Sequence, residues 1–236
     1  MEWRTLTELL FPEGHSISEE GSFLSGEATV NGSAVRVIGT TDHVAIGVEI
    51  AMAQAHAILE TIQNAPGQPI VILIDTQGQR LRHRDEMLGI NGYMAHLGKC
   101  IDLARRSGHQ VIGLVYDQAL SGGFITSGLM ADSCYALPDA TIRVMGLPAM
   151  ARITKVAEER LTSLAKDNPV FAPGVENYYR MGGVHEIWSE NLAAALKGAL
   201  NSPTKEDNRH QIGDRRGGRK LAASVIEYYA NDDNAQ

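Results

Sequence analysis

HQVIGLVYDQALSGGFITSGLMA runs from His109 to Ala131. Its opening, Val111 to Tyr116, is apolar without polar alternation and follows Gly108. Such a run is the mark of a strand buried on both faces. Asp117 and Gln118 are read as its end. Ser121-Gly122-Gly123 then leads into Phe124, Ile125, Leu129 and Met130, a spacing that suits a short buried helix. The order is strand, glycine turn, helix. The first N–H groups of a helix lack intrahelical acceptors and sit at the positive end of its dipole. Two glycines, having no Cβ, let a reacting atom approach those groups closely. Gly122 and Gly123 are therefore candidate donors to negative charge on oxygen.

A second buried strand precedes this one. Ile70 to Ile74 is continuous aliphatic sequence, and Asp75 to Asp85 after it reads as a polar loop. Ile90, Met94, Leu97, Ile101 and Ala104 make one stripe of a long helix that ends at Arg105-Arg106 and Gly108. Two buried strands joined by a helix give a right-handed crossover and a parallel sheet. Functional groups gather at the carboxyl ends of such strands. Asp75-Thr76-Gln77-Gly78-Gln79 and Ala119-Leu120-Ser121-Gly122-Gly123 should therefore be neighbours.

Outward from this core, Leu24–Val30, Asn31-Gly32 and Ser33–Ile38 spell a hairpin with a tight turn. Gly47 opens a helix with apolar positions 48, 51, 52, 55, 58, 59 and 62. Further on, short strands are expected at Asp132–Leu137 and Thr141–Met145, the second broken by Gly146 and Pro148. Helices are expected at Lys155–Lys166, Pro173–Met181 and Leu192–Leu200. Trp3, Leu6, Leu9 and Leu10 form an amphipathic arm, either a lid on the chain's own core or a docking element. Residues 201–219 hold few apolar side chains and read as a polar linker. Residues 220–236 read as a last helix and tail, docking on this body or another chain.

The chain has 236 residues, enough for one large domain, and its formal charge of −7 argues against nucleic acid as a partner. No stretch reaches the ~20 apolar residues of a membrane span, and the start lacks the form of a signal peptide. Cys100 and Cys134 are expected as buried thiols, in keeping with a cytoplasmic location. Dinucleotide, P-loop and zinc motifs are absent, and no metal site is expected.

Ser121 has two readings. It is a helix cap through its hydroxyl, or a nucleophile, since ALSGG is one residue short of the G-x-S-x-G elbow. Gly78, Gln77 and Gln79 are read either as a solvated loop or as a further source of donors to the same site. Glu86 reads better as a helix-start charge than as an acid–base group, and Arg215, Arg216 and Arg219 as solvated charge rather than phosphate ligands.

LIDTQGQRLRHRDEMLGINGYMAHLGKCIDLAR, ALSGGFITSGLMAD, YALPDATIRVMGLPAMARITK and VFAPGVENYYRMGG, in this order, resemble the gamma subunit of biotin-independent malonate decarboxylase. More widely they resemble carboxyltransferase subunits of the crotonase (ClpP-like) fold. The resemblance runs from Asp42 to Gly183. It implies an α/β chain of repeated ββα units with a parallel-rich sheet, residues 1–200 forming that domain. It implies a beta-subunit partner, with which the chain decarboxylates a malonyl thioester to acetyl thioester and CO2. The thioester would ride on an acyl carrier subunit through a phosphoribosyl-dephospho-CoA arm, and an acyl transferase subunit would exchange acetyl for malonate. Gly122 and Gly123 fall on the family's oxyanion element, and Met145-Gly146 at the edge of its site. Whether these glycines face the thioester oxygen or the leaving carboxylate stays open at this point. A scaffold subunit and a serine hydrolase are the alternatives.

Overall fold

The structure is a computed structural model that describes residues 1–165, 174–203, 206–218 and 222–231. It opens with α1 (Trp3–Leu10), followed by β1 (Ser18–Glu20), β2 (Phe23–Val30), β3 (Ser33–Thr40), β4 (Val44–Ile46) and α2 (Val48–Asn64). β5 (Ile70–Gln79), α3 (His83–Met87), α4 (Ile90–Arg106), β6 (Val111–Leu120) and α5 (Ser121–Ser127) form the middle. β7 (Ser133–Ala136), β8 (Thr141–Arg143), α6 (Leu147–Thr154), α7 (Glu158–Ala165), α8 (Val175–Arg180) and β9 (Glu186–Ile187) follow. α9 (Leu192–Asn201), α10 (Arg209–Arg215) and α11 (Ala222–Asn231) close the chain.

The main path of the sheet is β1-β2-β3-β5-β6-β7-β9. Its first two pairings are antiparallel and the rest are parallel. Asn31 (φ 53°) and Gly32 (φ 70°) make the turn between β2 and β3, as the Asn-Gly pair demands. Alternate residues serve opposite faces. Ile70, Ile72 and Ile74 pack with α2 and α4. Val71 and Leu73 pack with α1 and α9. Trp3, Leu6 and Leu10 are buried there, so the arm is a lid on its own core.

β5 and β6 are longer than their apolar runs. Past a register shift at Ile74/Thr76, β5 continues and takes β4 as neighbour, with Ala45 opposite Gly78 and Ile46 opposite Gln79. β6 likewise continues beside β8, with Leu120 opposite Arg143. The chain thus repeats two strand segments and a helix: β3, β4, α2; the two halves of β5, then α4; the two halves of β6, then α5; β7, β8, α6. Asp75–Gln79 is strand, where the polar composition suggests loop, and Asp117–Gln118 does not end β6. The polar groups are satisfied locally. Asp75 accepts from the amides of His43 (2.8 Å) and Gln118 (3.2 Å), and Thr76 Oγ1 donates to Val44 O (2.6 Å).

Three further expectations are corrected. The strand at Thr141–Met145 stops at Arg143, and α6 begins past Gly146 with Pro148 in its first turn, a position where proline is at home. The helix expected from Lys155 starts at Glu158; Lys166 and Pro173, the expected helix ends, lie outside the described residues. The expected linker contains α10, held by its arginines. Arg209 donates to Leu129 O (2.6 Å), and Arg216 donates to the carbonyls of Tyr179, Val184 and His185. α11 leaves Val225, Ile226, Tyr228 and Tyr229 exposed. Among the described residues no helix is long and apolar enough to cross a membrane.

Candidate active site

The ends of β5 and β6 meet at the glycine turn. A Cβ built on Gly123 would lie 3.0 Å from Gly78 Cα and 3.1 Å from Ile46 Cδ1. One built on Gly78 would lie 2.8 Å from Ser121 Cβ. The two stretches are therefore neighbours, as the crossover requires. Gly123 and Gly78 are buried, Ser121 and Gly122 half-buried. Gly78 stands at φ 100°, so a side chain there is excluded by conformation as well as by space.

Gly122 and Gly123 occupy the first turn of α5, where N–H groups have no intrahelical acceptor. Among the described residues no other acceptor engages them. Their carbonyls are bound: Thr126 Oγ1 donates to Gly122 O (2.8 Å) and Ser127 Oγ to Gly123 O (2.7 Å). The turn is held from its carbonyl side while its amides stay free.

Ser121 does not cap. The N-cap residue is Leu120, without a side-chain cap, and Ser121 is the first helical residue at φ 53°. β6 runs on to Leu120 through its pairing with β8, so the bend falls on Ser121 and forces it into the left-handed region. Among the described residues no histidine or carboxylate is hydrogen-bonded to Ser121. Gly78 is not a free donor either, since its amide donates to Thr76 Oγ1 at 3.0 Å. Gln79 does reach the turn: its Oε1 would lie 3.6 Å from a Cβ at Gly122, and its Nε2 donates to Asn91 Oδ1 (3.4 Å). Gln77 is exposed, and its amide donates to His43 O (3.4 Å). Met145 and Gly146 are half-buried just past β8, on the same rim.

Behind Gln79 lies a clamp. Arg80 donates to Asp85 Oδ2 (2.9 Å), Asp85 Oδ1 (2.8 Å) and Glu49 Oε2 (2.6 Å). Asp85 also accepts from Val48 N (3.1 Å) at the start of α2, and Arg84 pairs with Glu49. Arg80 fills the space where a Cβ on Gly47 would sit. The Arg80 guanidinium holds the Asp85 carboxyl down to about 2. An acid whose folded value is depressed stabilises the fold above its unfolded value, near 4, and that stability is lost as pH falls toward the folded value. Acid unfolding should therefore steepen between pH ~4 and ~2. Asp85→Asn should flatten that window and lower stability at neutral pH, as followed by circular dichroism.

One cluster escaped the sequence because its members lie far apart in the chain. His43 Nε2 is 3.0 Å from Asp117 Oδ1 and 3.5 Å from Asp75 Oδ1, and the Met1 ammonium is 3.4 Å from Asp117 Oδ2. Burial is the main force raising the Asp75 carboxyl above its usual range. The donor set is one imidazole and two carboxylates. In this arrangement the groups satisfy one another and brace the β5 and β6 ends.

The segments leaving the strand ends also carry bare apolar side chains. Leu81 is 86% exposed, Met87 75% and Ile153 67%, with Ile125 and Val144 at 50%. A cavity of about 320 Å³ lies between α4 and α5, lined by Met94, Gly98, Ile125 and Met130 among others. These bare apolar side chains lie on the segments around the free backbone amides.

Comparison with known proteins gives the family. Residues 41–232 match the malonate decarboxylase gamma subunit family. The chain belongs to that family. It is 31% identical over 206 residues to the Malonyl-S-ACP:biotin-protein carboxyltransferase MADD of Malonomonas rubra, covering 77% of this chain and 70% of that protein. Among solved structures, the Pseudomonas malonate decarboxylase MdcD-MdcE hetero-dimer superposes with a TM-score of 0.75 at 23% identity, over 97% of both chains. The transcarboxylase 12S hexamer with methylmalonyl-coenzyme A and methylmalonic acid bound gives 0.70 at 18% identity, over 84% of this chain and 41% of that one. The fold is that of the crotonase-type carboxyltransferases, as the repeated ββα units indicate.

Proposed function

We propose that this chain, with a beta-type partner, removes CO2 from a malonyl thioester carried on an acyl carrier protein. The observation that carries this reading is the pair of free amides at Gly122 and Gly123, in a member of the malonate decarboxylase gamma family. The C–C bond to the carboxylate breaks, CO2 leaves, and its electron pair passes into the thioester as an enolate. The α-carbon then takes a proton, giving the acetyl thioester. Donors aimed at the growing oxygen charge are worth about 2.7–4 kcal/mol each in a site closed to water. The apolar rim is where the beta-type partner seats and excludes that water. The family pairing in the MdcD-MdcE hetero-dimer supports this assignment. The carrier would present its substrate on a phosphoribosyl-dephospho-CoA arm, and an acyl transferase subunit would reload it. A cytoplasmic location fits this supply of substrate.

The experiment is CO2 release from a malonyl thioester by the co-purified pair. No release would overturn the reading. The likeness to MADD favours a second acceptor for the carboxyl group, a biotinylated protein. The enolate is the same in both. Label from carboxyl-labelled malonate retained on an added biotinylated carrier, rather than lost as CO2, would decide for transfer. The serine-hydrolase alternative predicts fluorophosphonate labelling that vanishes in Ser121→Ala. Among the described residues no histidine partners Ser121, which speaks against it.

A further inference from the structure

Arg143 stands out among the arginines of the described residues. Arg36, Arg80, Arg105, Arg209 and Arg216 are half-buried, and each is hydrogen-bonded to a side chain or a carbonyl. Arg143 is equally half-buried and has neither hydrogen bond nor ion pair among the described residues; its Nε is shut off from solvent with no acceptor. Arg36 Nε is buried without an acceptor as well, but its guanidinium is held by Ser25; no nitrogen of the Arg143 guanidinium is paired among the described residues, which leaves it open to an incoming anion.

Its place in the ladder puts it next to the strand that leads into the glycine turn. Arg143 is the last residue of β8 and pairs with Leu120, the residue before the Ser121-Gly122-Gly123 turn. Neighbouring strands lie about 4.8 Å apart. The cation is thus rooted one strand away from Leu120, two residues before the first of the free amides. Ile142 faces the core, so its neighbours along the strand, Arg143 included, point to the other side.

We infer that Arg143 binds the free carboxylate of the malonyl group and selects a dicarboxylic thioester over a monocarboxylic one. This rests on the functional reading above and deepens it. A planar guanidinium matches a carboxylate bidentately. The same charge would also suit a phosphate of the carrier arm, so the test separates the two. An ion pair to the carboxylate exists in the bound substrate and vanishes as neutral CO2 forms. It therefore lowers KM without raising kcat, and its removal relieves ground-state stabilisation.

The complex with the beta-type partner is assayed with malonyl-N-acetylcysteamine, which has no phosphate, and with malonyl-CoA. Binding of malonyl-CoA and acetyl-CoA is compared by titration calorimetry. In Arg143→Gln, KM for both malonyl thioesters should rise about 10- to 100-fold, kcat should hold or increase, and the preference for malonyl- over acetyl-CoA should disappear. Arg143→Lys should recover part of the loss. A KM within twofold of wild type on malonyl-N-acetylcysteamine overturns the proposal. A rise confined to the CoA thioesters, shared by acetyl-CoA, assigns Arg143 to phosphate and overturns it too. A fall in kcat at unchanged KM, with a lowered melting temperature, marks a structural role and does the same. Wild-type complex that binds both CoA thioesters alike refutes the carboxylate site. Wild-type complex that discriminates but releases no CO2 refutes the decarboxylase reading and leaves the Arg143 assignment standing.

Discussion

Gly122→Val should reduce CO2 release from a malonyl thioester at least about a hundredfold, the loss expected when an oxyanion donor is taken out of use. The variant should fold. A Cβ at Gly122 meets only the Gln79 side chain, at 3.6 and 3.9 Å, which is ordinary contact. The two methyl groups of valine then stand where the oxygen must approach the amides, and they push Gln79 aside. Gly123 answers a different question. There even alanine is pressed against Gly78 Cα at 3.0 Å, and such overpacking costs about 1–3 kcal/mol. The informative measurement is single-turnover CO2 release by the assembled complex, paired with a thermal melt. Full turnover in Gly122→Val would remove the backbone amides from the mechanism. Lost turnover with intact assembly would remove the scaffold alternative.

Phe124→Ala should be the most damaging change to stability near the site. The ring is 1% exposed and meets Tyr178 edge-on at 5.8 Å. Its edge occupies the space that a Cβ on Gly128 would need. Deleting a buried aromatic ring costs about 3–5 kcal/mol, a large part of the ~5–15 kcal/mol that holds a domain together. In a chain of this size the melting temperature should drop by about 10 °C. α5 carries Gly122 and Gly123, so turnover should fall as well. Phe124→Leu should restore most of both. Stability within about 1 kcal/mol of wild type in Phe124→Ala would show that Tyr178 and Gly128 do not hold α5 in place.

The frame was legible because its signals are local. Continuous aliphatic runs announce strands buried twice, Asn-Gly announces the hairpin, and one apolar stripe announces α4. The glycine turn was legible for the same reason. What escaped depends on partners distant in sequence. Asp75 and Thr76 look like loop residues until His43, Gln118 and Val44 are seen to satisfy them. Gly146 and Pro148 look like breakers although they start α6. α10 escaped because it is fastened by arginine to carbonyl oxygens and not by an apolar stripe. Ser121 seemed a cap because the β6–β8 register, which sets where the bend falls, is not written in either strand alone.

The bare leucine, methionine and isoleucine side chains around the strand ends bear on how the cell must make this protein. Surface of that kind, left uncovered, adheres to chaperones, to proteases and to further copies of itself. If the proposed beta-type partner covers that surface, polypeptide made in excess of the partner should be short-lived, and co-expression of the two should lengthen its life.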